Sequence, residues 1–340
     1  MIGRWPDFEK QLRELDQDIQ KLERLLQASG LSEERRALLR EQVVRVRRQQ
    51  DRLTREVFTM LTAWDHVLLA RHVDRPYTLD YVNAVFGDFV ELHGDRRFGD
   101  DPAVVAGLAS LEGETVAVIG HQKGRDVKER QFRNFGSARP EGYRKAGRVM
   151  KLAERLRFPV ISFVDTPAAE SRLDAEERGI ANAIAENLEL MSALETPLLV
   201  VIIGEGGSGG AIGVAVGDHV MMLEHAIYSV IPPESCAVIL ETFGRDPKRG
   251  PEAAEALRLS AAKTKELGAV DEVIPEPLGG AHRDHAAAAR NVEEAITRNL
   301  ARLREMSLDE LVGARYAKYR ALGGASIVGA DVVGEEGGGV

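Results

Sequence analysis

The chain is short of thiols, of positive charge and of long apolar runs, and each shortage excludes a class of protein. One of its 340 residues is cysteine, Cys236, which leaves no internal disulfide framework and no Cys-rich zinc site. Lys and Arg number 45 against 54 Asp and Glu, a formal net charge of −9. That balance argues against bulk nucleic-acid or anionic-membrane binding, which needs a basic face. No apolar run approaches the roughly 20 residues that span a bilayer. Met1 to Lys10 is mixed and charged, unlike a secretory leader. Internal repeats and an H-E-x-x-H metal motif are also missing. With 44% hydrophobic and 29% charged residues, the expectation is an acidic, reduced, cytoplasmic globular protein.

What is present divides into three units. Residues 1–74 are read as a helical docking hairpin. From Asp7 to Met60 glycine and proline are nearly absent, and Phe8, Leu12, Leu15, Ile19, Leu22 and Leu25 recur at helical spacing. Ala28-Ser29-Gly30 breaks the stripe, Ser32 reads as an N-cap, and a second stripe follows through Leu39, Val43, Val46, Leu53 and Val57. Residues 75–320 alternate apolar strands with helices, the pattern of an α/β core built from crossovers. Strands are expected at 104–108, 115–119, 160–164, 198–203, 220–223 and 228–230, and helices at 141–156, 175–194 and 291–304. Residues 321–340 carry seven glycines and little to bury, so they are expected to form a mobile tail.

The segment richest in chemistry is the apolar strand Leu198–Ile203 followed by Gly204-Glu-Gly-Gly-Ser-Gly-Gly210. Glycines let another group approach the backbone closely, and N–H groups at a helix start favour negative charge. Three readings stay open on the residues alone. Gly204, Gly206 and Gly209 satisfy G-x-G-x-x-G, with Glu224 at the distance of a ribose-binding acid, although the following helix is short for a dinucleotide crossover. A tight packing turn is the bland alternative. The third reading is an oxyanion hole for an acyl or carboxyl group, in which the amides of Gly206 and Gly207 are the donors and Ser208 and Gly209 adjoin the ligand. A phosphate loop is excluded, because no Lys-Ser or Lys-Thr follows the glycines.

Residues 121–148 hold nine Lys or Arg against three acids, a local excess of six in an acidic chain. Lys123, Arg125, Lys128 and Arg133 are therefore candidates for an electropositive rim, with a solvated helix face as the plain alternative. Cys236 reads as a small buried apolar group, and His282 with His285 lacks a third ligand for a metal.

Several stretches taken together resemble a known family. Gly120-His-Gln-Lys-Gly-Arg125, Asn134-Phe-Gly136, Pro140-Glu-Gly-Tyr-Arg-Lys145, Ala175-Glu-Glu-Arg-Gly179, the glycine segment through Gly210 and Ile274-Pro-Glu-Pro-Leu-Gly-Gly-Ala-His-Arg283 resemble the carboxyltransferase alpha subunit of bacterial acetyl-CoA carboxylase. The resemblance implies an α/β, crotonase-like fold of stacked ββα units behind the helical hairpin. It also implies an α2β2 assembly with a carboxyltransferase beta subunit that carries the zinc, so that no cofactor is bound directly here. Carboxybiotin would be presented by a biotin carboxyl carrier protein, recharged by biotin carboxylase, and acetyl-CoA would become malonyl-CoA for fatty-acid synthesis.

The chain departs from that pattern in one loop. Where the family has Asp-Thr-Pro-Gly-Ala-Tyr-Pro-Gly, this chain has Asp165-Thr-Pro-Ala-Ala-Glu-Ser-Arg172, then Leu173-Asp174. The resemblance makes Arg172 and Leu173 a second amide loop and puts Ala168 and Ala169 against the substrate. An L-residue resists the positive φ that glycine accepts. A diverged subunit, non-catalytic, regulatory or acting on another acyl-CoA, is therefore the alternative reading, with an NAD-dependent oxidoreductase a weaker one.

Overall fold

Helix formation at the N-terminus follows from the apolar stripes and their caps. The computed structural model describes residues 6–28 and 30–323. Helix α1 (Lys10–Leu26) and α2 (Glu33–Thr59) form an antiparallel hairpin around Gly30, whose φ is +88°. The Ser32 side chain accepts from the Arg35 N–H, as an N-cap does. Leu12, Ile19, Leu39 and Val43 are the buried members of the seam. Two short helices follow, α3 (Ala63–Ala70) and α4 (Thr78–Val85). α3 packs against strand and helix of the main body.

The body is one mixed eight-stranded sheet. Strands β1 (Gly87–Glu91), β2 (Val104–Leu111) and β3 (Glu114–His121) are antiparallel neighbours, with Glu112 and Gly113 both at positive φ in the two-residue β2–β3 turn. Helices α5 (Val127–Phe132) and α6 (Pro140–Leu156) lead into β4 (Val160–Thr166), which pairs parallel with β3. Then α7 (Leu173–Glu177) and α8 (Ile180–Ala193) cross to β5 (Leu198–Gly207), and α9 (Ser208–Ile212) to β6 (His219–Leu223). β7 (Ile227–Ser229) pairs with the far end of β5. Beyond it lie α10 (Pro233–Ile239), α11 (Gly250–Ala256), α12 (Ala261–Glu266), β8 (Glu272–Ile274), α13 (His285–Arg304) and α14 (Leu308–Ala321). The sheet order is β1-β2-β3-β4-β5-β6-β8. Central strands β4 and β5 are buried along their whole lengths, which is why they read as continuous apolar runs.

The differences from the sequence reading have local causes. The expected 175–194 helix is two, because Gly179 turns left-handed at φ +77° between them. α13 begins six residues early, where the Asp284 side chain caps the Ala287 N–H at 2.8 Å. β5 runs through Gly207, so the first four residues of the glycine segment are strand rather than turn. The glycine tail lies outside the described residues beyond Gly323, and α14 continues to Ala321. Among the described residues no helix is long and apolar enough to cross a membrane.

Buried ion pairs fasten these elements. Arg75 lies fully inside and donates to the Ile203 carbonyl at 2.6 Å and to both oxygens of Glu276. Glu276 in turn accepts from the His225 N–H (2.9 Å) and the Ala281 N–H (2.6 Å). One guanidinium–carboxylate pair thus joins the end of β5, the end of β6 and the 275–283 loop. Arg315 on α14 does similar work, donating to Asp218 and to the carbonyls of Met191 and Leu194.

Burial opposes charge on Glu276, but Arg75 outweighs it and holds the carboxyl at about 2, below its ordinary 4.5. Its stabilisation is therefore complete above about pH 4.5 and is lost as pH falls towards 2. Removing either partner strands a buried charge. Arg75→Ala and Glu276→Ala are each expected to lower the unfolding free energy by about 3–5 kcal/mol in urea titrations. Glu276→Gln should flatten this part of the acid limb.

Candidate functional site

The C-terminal ends of β3, β4 and β5 converge on one place, and glycine there is set by neighbours. A Cβ on Gly207 would run into the Pro167 carbonyl, and one on Gly210 would lie 2.6 Å from Ala168 C and Ala169 N. Gly206 faces the Tyr228 ring at 2.7 Å and Gly213 faces Tyr143 at 2.6 Å. Only Gly209 has room, with its nearest contact at 3.7 Å. The strand end of β5 and the start of α9 therefore pass backbone-to-backbone across the Thr166–Ala169 loop. Packing and chemistry both use these glycines.

Ser208 sits at the strand-to-helix corner with φ +53°, an unfavourable region for a residue with a Cβ. Gly206-Gly207-Ser208-Gly209-Gly210 even satisfies G-x-S-x-G, a pattern of strained nucleophilic serines that the sequence reading did not single out. Among the described residues no histidine or carboxylate is hydrogen-bonded to its hydroxyl. Lacking a base, it suits a donor or spacer role rather than a nucleophile. Ser208 and Gly209 line a pocket of about 340 Å³, closed by Ile212, Tyr228, Ser229 and Leu267.

Beneath the glycines lies a buried charge network. The Lys123 ammonium is 2.7 Å from Asp165 Oδ1 and 2.7 Å from Glu205 Oε2, and its side chain is 13% exposed. Arg71 bridges Glu205 and Glu234. Asp165 also accepts the Glu205 N–H at 2.9 Å. Burial opposes charge on Glu205, yet Lys123 and Arg71 hold its carboxyl at about 2. Burial, with the Glu205 charge adding, pushes Asp165 up against the pull of Lys123. Burial likewise opposes the Lys123 charge, but the two carboxylates win and raise its pKa.

The other basic candidates are spread out. Arg125 pairs with Asp80 and stacks over the Tyr77 ring at 4.9 Å. Lys128 is exposed on α5. Arg133 donates to the Pro102 carbonyl at 2.9 Å. Lys123 is thus placed inside the network, whereas Arg125 and Lys128 lie on the surface.

In the 168–174 loop, Ala168 and Ala169 touch Gly210, and the Leu173 side chain is exposed. The Arg172 N–H, however, is taken by Glu170 Oε1 at 3.0 Å. Glu170 also accepts from the Ser171 N–H (2.8 Å), from Asn134 Nδ2 (2.8 Å) and from the Arg172 guanidinium. Asn134 and Glu170 were not among the candidate residues. The signal was present, since Glu170 is one of the departures from the family pattern.

Among the described residues, Glu9, His72 and His282 are the one set of His, Cys, Asp and Glu side chains close enough to share a cation. Glu9 Oε1 lies 2.8 Å from His282 Nε2, while His72 Nδ1 accepts the Asp74 N–H at 3.1 Å. Burial, His282 and Arg75 push His72 down to about 3. With the two rings stacked at 4.1 Å and Arg13, Arg75 and Arg283 nearby, the cluster fastens the N-terminal segment to the body. His285 points elsewhere, to the Asp74 carbonyl. Cys236 is buried beside Ala237, Phe243 and Ala253. Glu224, the acid of the dinucleotide reading, accepts the Glu276 N–H, and α9 is five residues long; neither favours that reading.

Comparison with known proteins adds a family. A family model described as acetyl co-enzyme A carboxylase carboxyltransferase-like matches residues 5–323. The acetyl-coenzyme A carboxylase carboxyl transferase subunit alpha of Geobacter metallireducens is 54% identical over 316 residues, covering 93% of this chain and 96% of that protein. The subunit of the same name from Syntrophotalea carbinolica is 52% identical over 321 residues, covering 93% and 97%. Among solved structures, a Pseudomonas malonate decarboxylase hetero-tetramer in complex with coenzyme A aligns with TM-score 0.56 and 16% identity over 75% of this chain and 97% of its own. Transcarboxylase 12S aligns with TM-score 0.53 and 18% identity over 66% and 41%. These structures bear on fold alone, and the fold is the crotonase-like α/β fold expected.

The close passage generates a paired test. Gly207→Ala forces the strand off the Pro167 carbonyl and is expected to cost about 2 kcal/mol or more, as overpacking does. Gly209→Ala, with open space, should stay within about 1 kcal/mol of the parent. Urea unfolding of the two variants side by side checks the difference.

Proposed function

The chain belongs to the acetyl-CoA carboxylase carboxyltransferase alpha-subunit family, and from that membership we propose how it works. The observation that carries the reading is identity above one half across more than nine-tenths of the chain, with the glycine strand and its facing loop kept together. The chain is a biotin-dependent carboxyltransferase subunit that works with a beta subunit and a biotin carrier. It moves a carboxyl group from carboxybiotin to acetyl-CoA, giving malonyl-CoA. We assign it to the cytoplasm and to an α2β2 assembly, with the zinc in the beta subunit and biotin carboxylase recharging the carrier.

The donor set supports this chemistry. Carboxyl transfer to a thioester develops negative charge on an oxygen, and preorganised N–H groups stabilise such charge best where water is excluded. The Gly206 and Gly207 amides are our choice for that oxygen. They are stiffened by pairing with Thr166 and with Tyr228 and Ser229 on either side. The pocket beside Ser208 and Gly209 has the size and apolar lining for a small acyl or ring group. Ala168 and Ala169 form the opposite wall, and the Arg172 and Leu173 amides are a second donor pair once Arg172 N–H is released from Glu170. Bound carboxybiotin supplies the carboxyl group; the chain's own part is to orient it, exclude water and hold the developing charge. Arg125, Lys128 and Arg133 remain our candidates for the phosphates of coenzyme A.

The test is reconstitution. The chain and its beta subunit together are expected to decarboxylate malonyl-CoA with biocytin as acceptor, and neither alone should do so. An assembled pair that binds both substrates without transfer would sink the reading. Gly207→Ala should lower kcat roughly hundredfold, the effect of spoiling one oxyanion donor, with a smaller change in KM for the thioester.

A further inference from the structure

Glu170 is an anion sitting in a cradle made for one. Its side chain is 8% exposed and accepts five hydrogen bonds. Oε1 takes the Ser171 and Arg172 N–H groups at 2.8 and 3.0 Å. Oε2 takes Arg172 Nε (3.0 Å), Arg172 Nη2 (2.6 Å) and Asn134 Nδ2 (2.8 Å). A guanidinium fork with converging N–H donors matches a planar carboxylate, and such charge-assisted bonds are the strong ones.

The cradle is also built on strained backbone. Asn134 and Phe135 both have positive φ, +47° and +55°, ahead of Gly136 at +80°. Asn134 is pinned there by donating to the Ser137 carbonyl as well as to Glu170. Backbone strain of this kind persists only where the surroundings enforce it, and it gathers at ligand sites. The segment packs inward on the charge network, since a Cβ on Gly136 would meet Lys123 Cγ at 2.9 Å and the Asp165 carbonyl at 3.0 Å. Meanwhile Arg172 is 61% exposed, so the cradle opens to solvent on its guanidinium side.

We propose that the Asn134–Ser171–Arg172 cradle is a binding site for a small external carboxylate or carbamate, kept filled in the resting chain by its own Glu170. The occupant is adjacent in sequence to two of its three partners, so emptying the site needs only rotation of the Glu170 side chain. A tethered occupant competes at an effective concentration on the order of millimolar or above. Free carboxylates at lower concentration are thereby excluded, and one delivered on a tether is not. The link to carboxybiotin rests on the carboxyltransferase reading; the existence of the site does not.

Titrating the full chain with sodium acetate and sodium formate, against sodium chloride at matched ionic strength, tests the site without turnover. Glu170→Ala is expected to bind acetate at least about tenfold more tightly than the parent, because the tethered competitor is gone. Its melting temperature should fall and be restored selectively by carboxylates. Adding Arg172→Ala in the same chain should abolish the response. Glu170→Gln, which keeps the shape and loses the charge, gives an intermediate response and serves if the alanine variant does not fold. A folded Glu170→Ala or Glu170→Gln chain that responds to acetate no more than the parent overturns the proposal. In the assembled enzyme, Glu170→Ala should lower KM for a free carboxylated donor; a merely structural loop role would lower kcat and thermal stability with no carboxylate response.

Discussion

The passage of one backbone across another, with almost no space between them, is the constraint on which this structure turns. The end of β5 and the start of α9 lie against Thr166–Ala169 so closely that a single methyl at Gly207 or Gly210 has nowhere to go. That contact sets the spacing of β4 and β5, places Ser208 at a strained corner, and brings two sets of N–H donors to one spot. It also removes the alternatives, since a turn so crowded by protein has no room for the pyrophosphate of a dinucleotide.

Electrostatics follow from the same geometry. Strand ends that meet this tightly bury the side chains at their tips, and Lys123, Asp165 and Glu205 are such side chains. Each would be costly alone in a medium of low dielectric, so they appear as a linked set, with Arg71 closing it from α3's end. The result is a stiff floor beneath the glycines. Above it, the loop that carries Glu170 brings its own anion to its own donors. In the family pattern glycines and a Tyr-Pro pair occupy this loop. Here a carboxylate and a guanidinium replace conformational freedom with a bonded lock.

Much of this was legible in the residue order. The hairpin and its Ser32 cap, the apolar strands β2 to β6 and the glycine segment are local signals, and they stand where the pattern put them. Elements too short or too exposed to carry a pattern did not show. β8 has three residues, and β1 is an edge strand with a bulge and no buried alternation. Gly179 looked like one residue inside a long helix; its left-handed φ makes it a boundary. The basic stretch 121–148 was visible as charge, but charge counts do not say what each cation faces. Lys123 faces two carboxylates that lie 42 and 82 residues further along the chain.

The sequence by itself determined the fold class, the family and the position of the glycine segment, because period, turn residues and motif spacing are written along the chain. Tertiary structure alone decided what the glycines touch, that Lys123 is neutralised from within, and that Glu170 fills a cradle shared with Asn134. Those facts depend on distances between residues remote in sequence, and no periodicity encodes such a distance. A buried charge or an N–H group acquires its role from what the folded chain sets beside it, at three ångströms, after the water has gone.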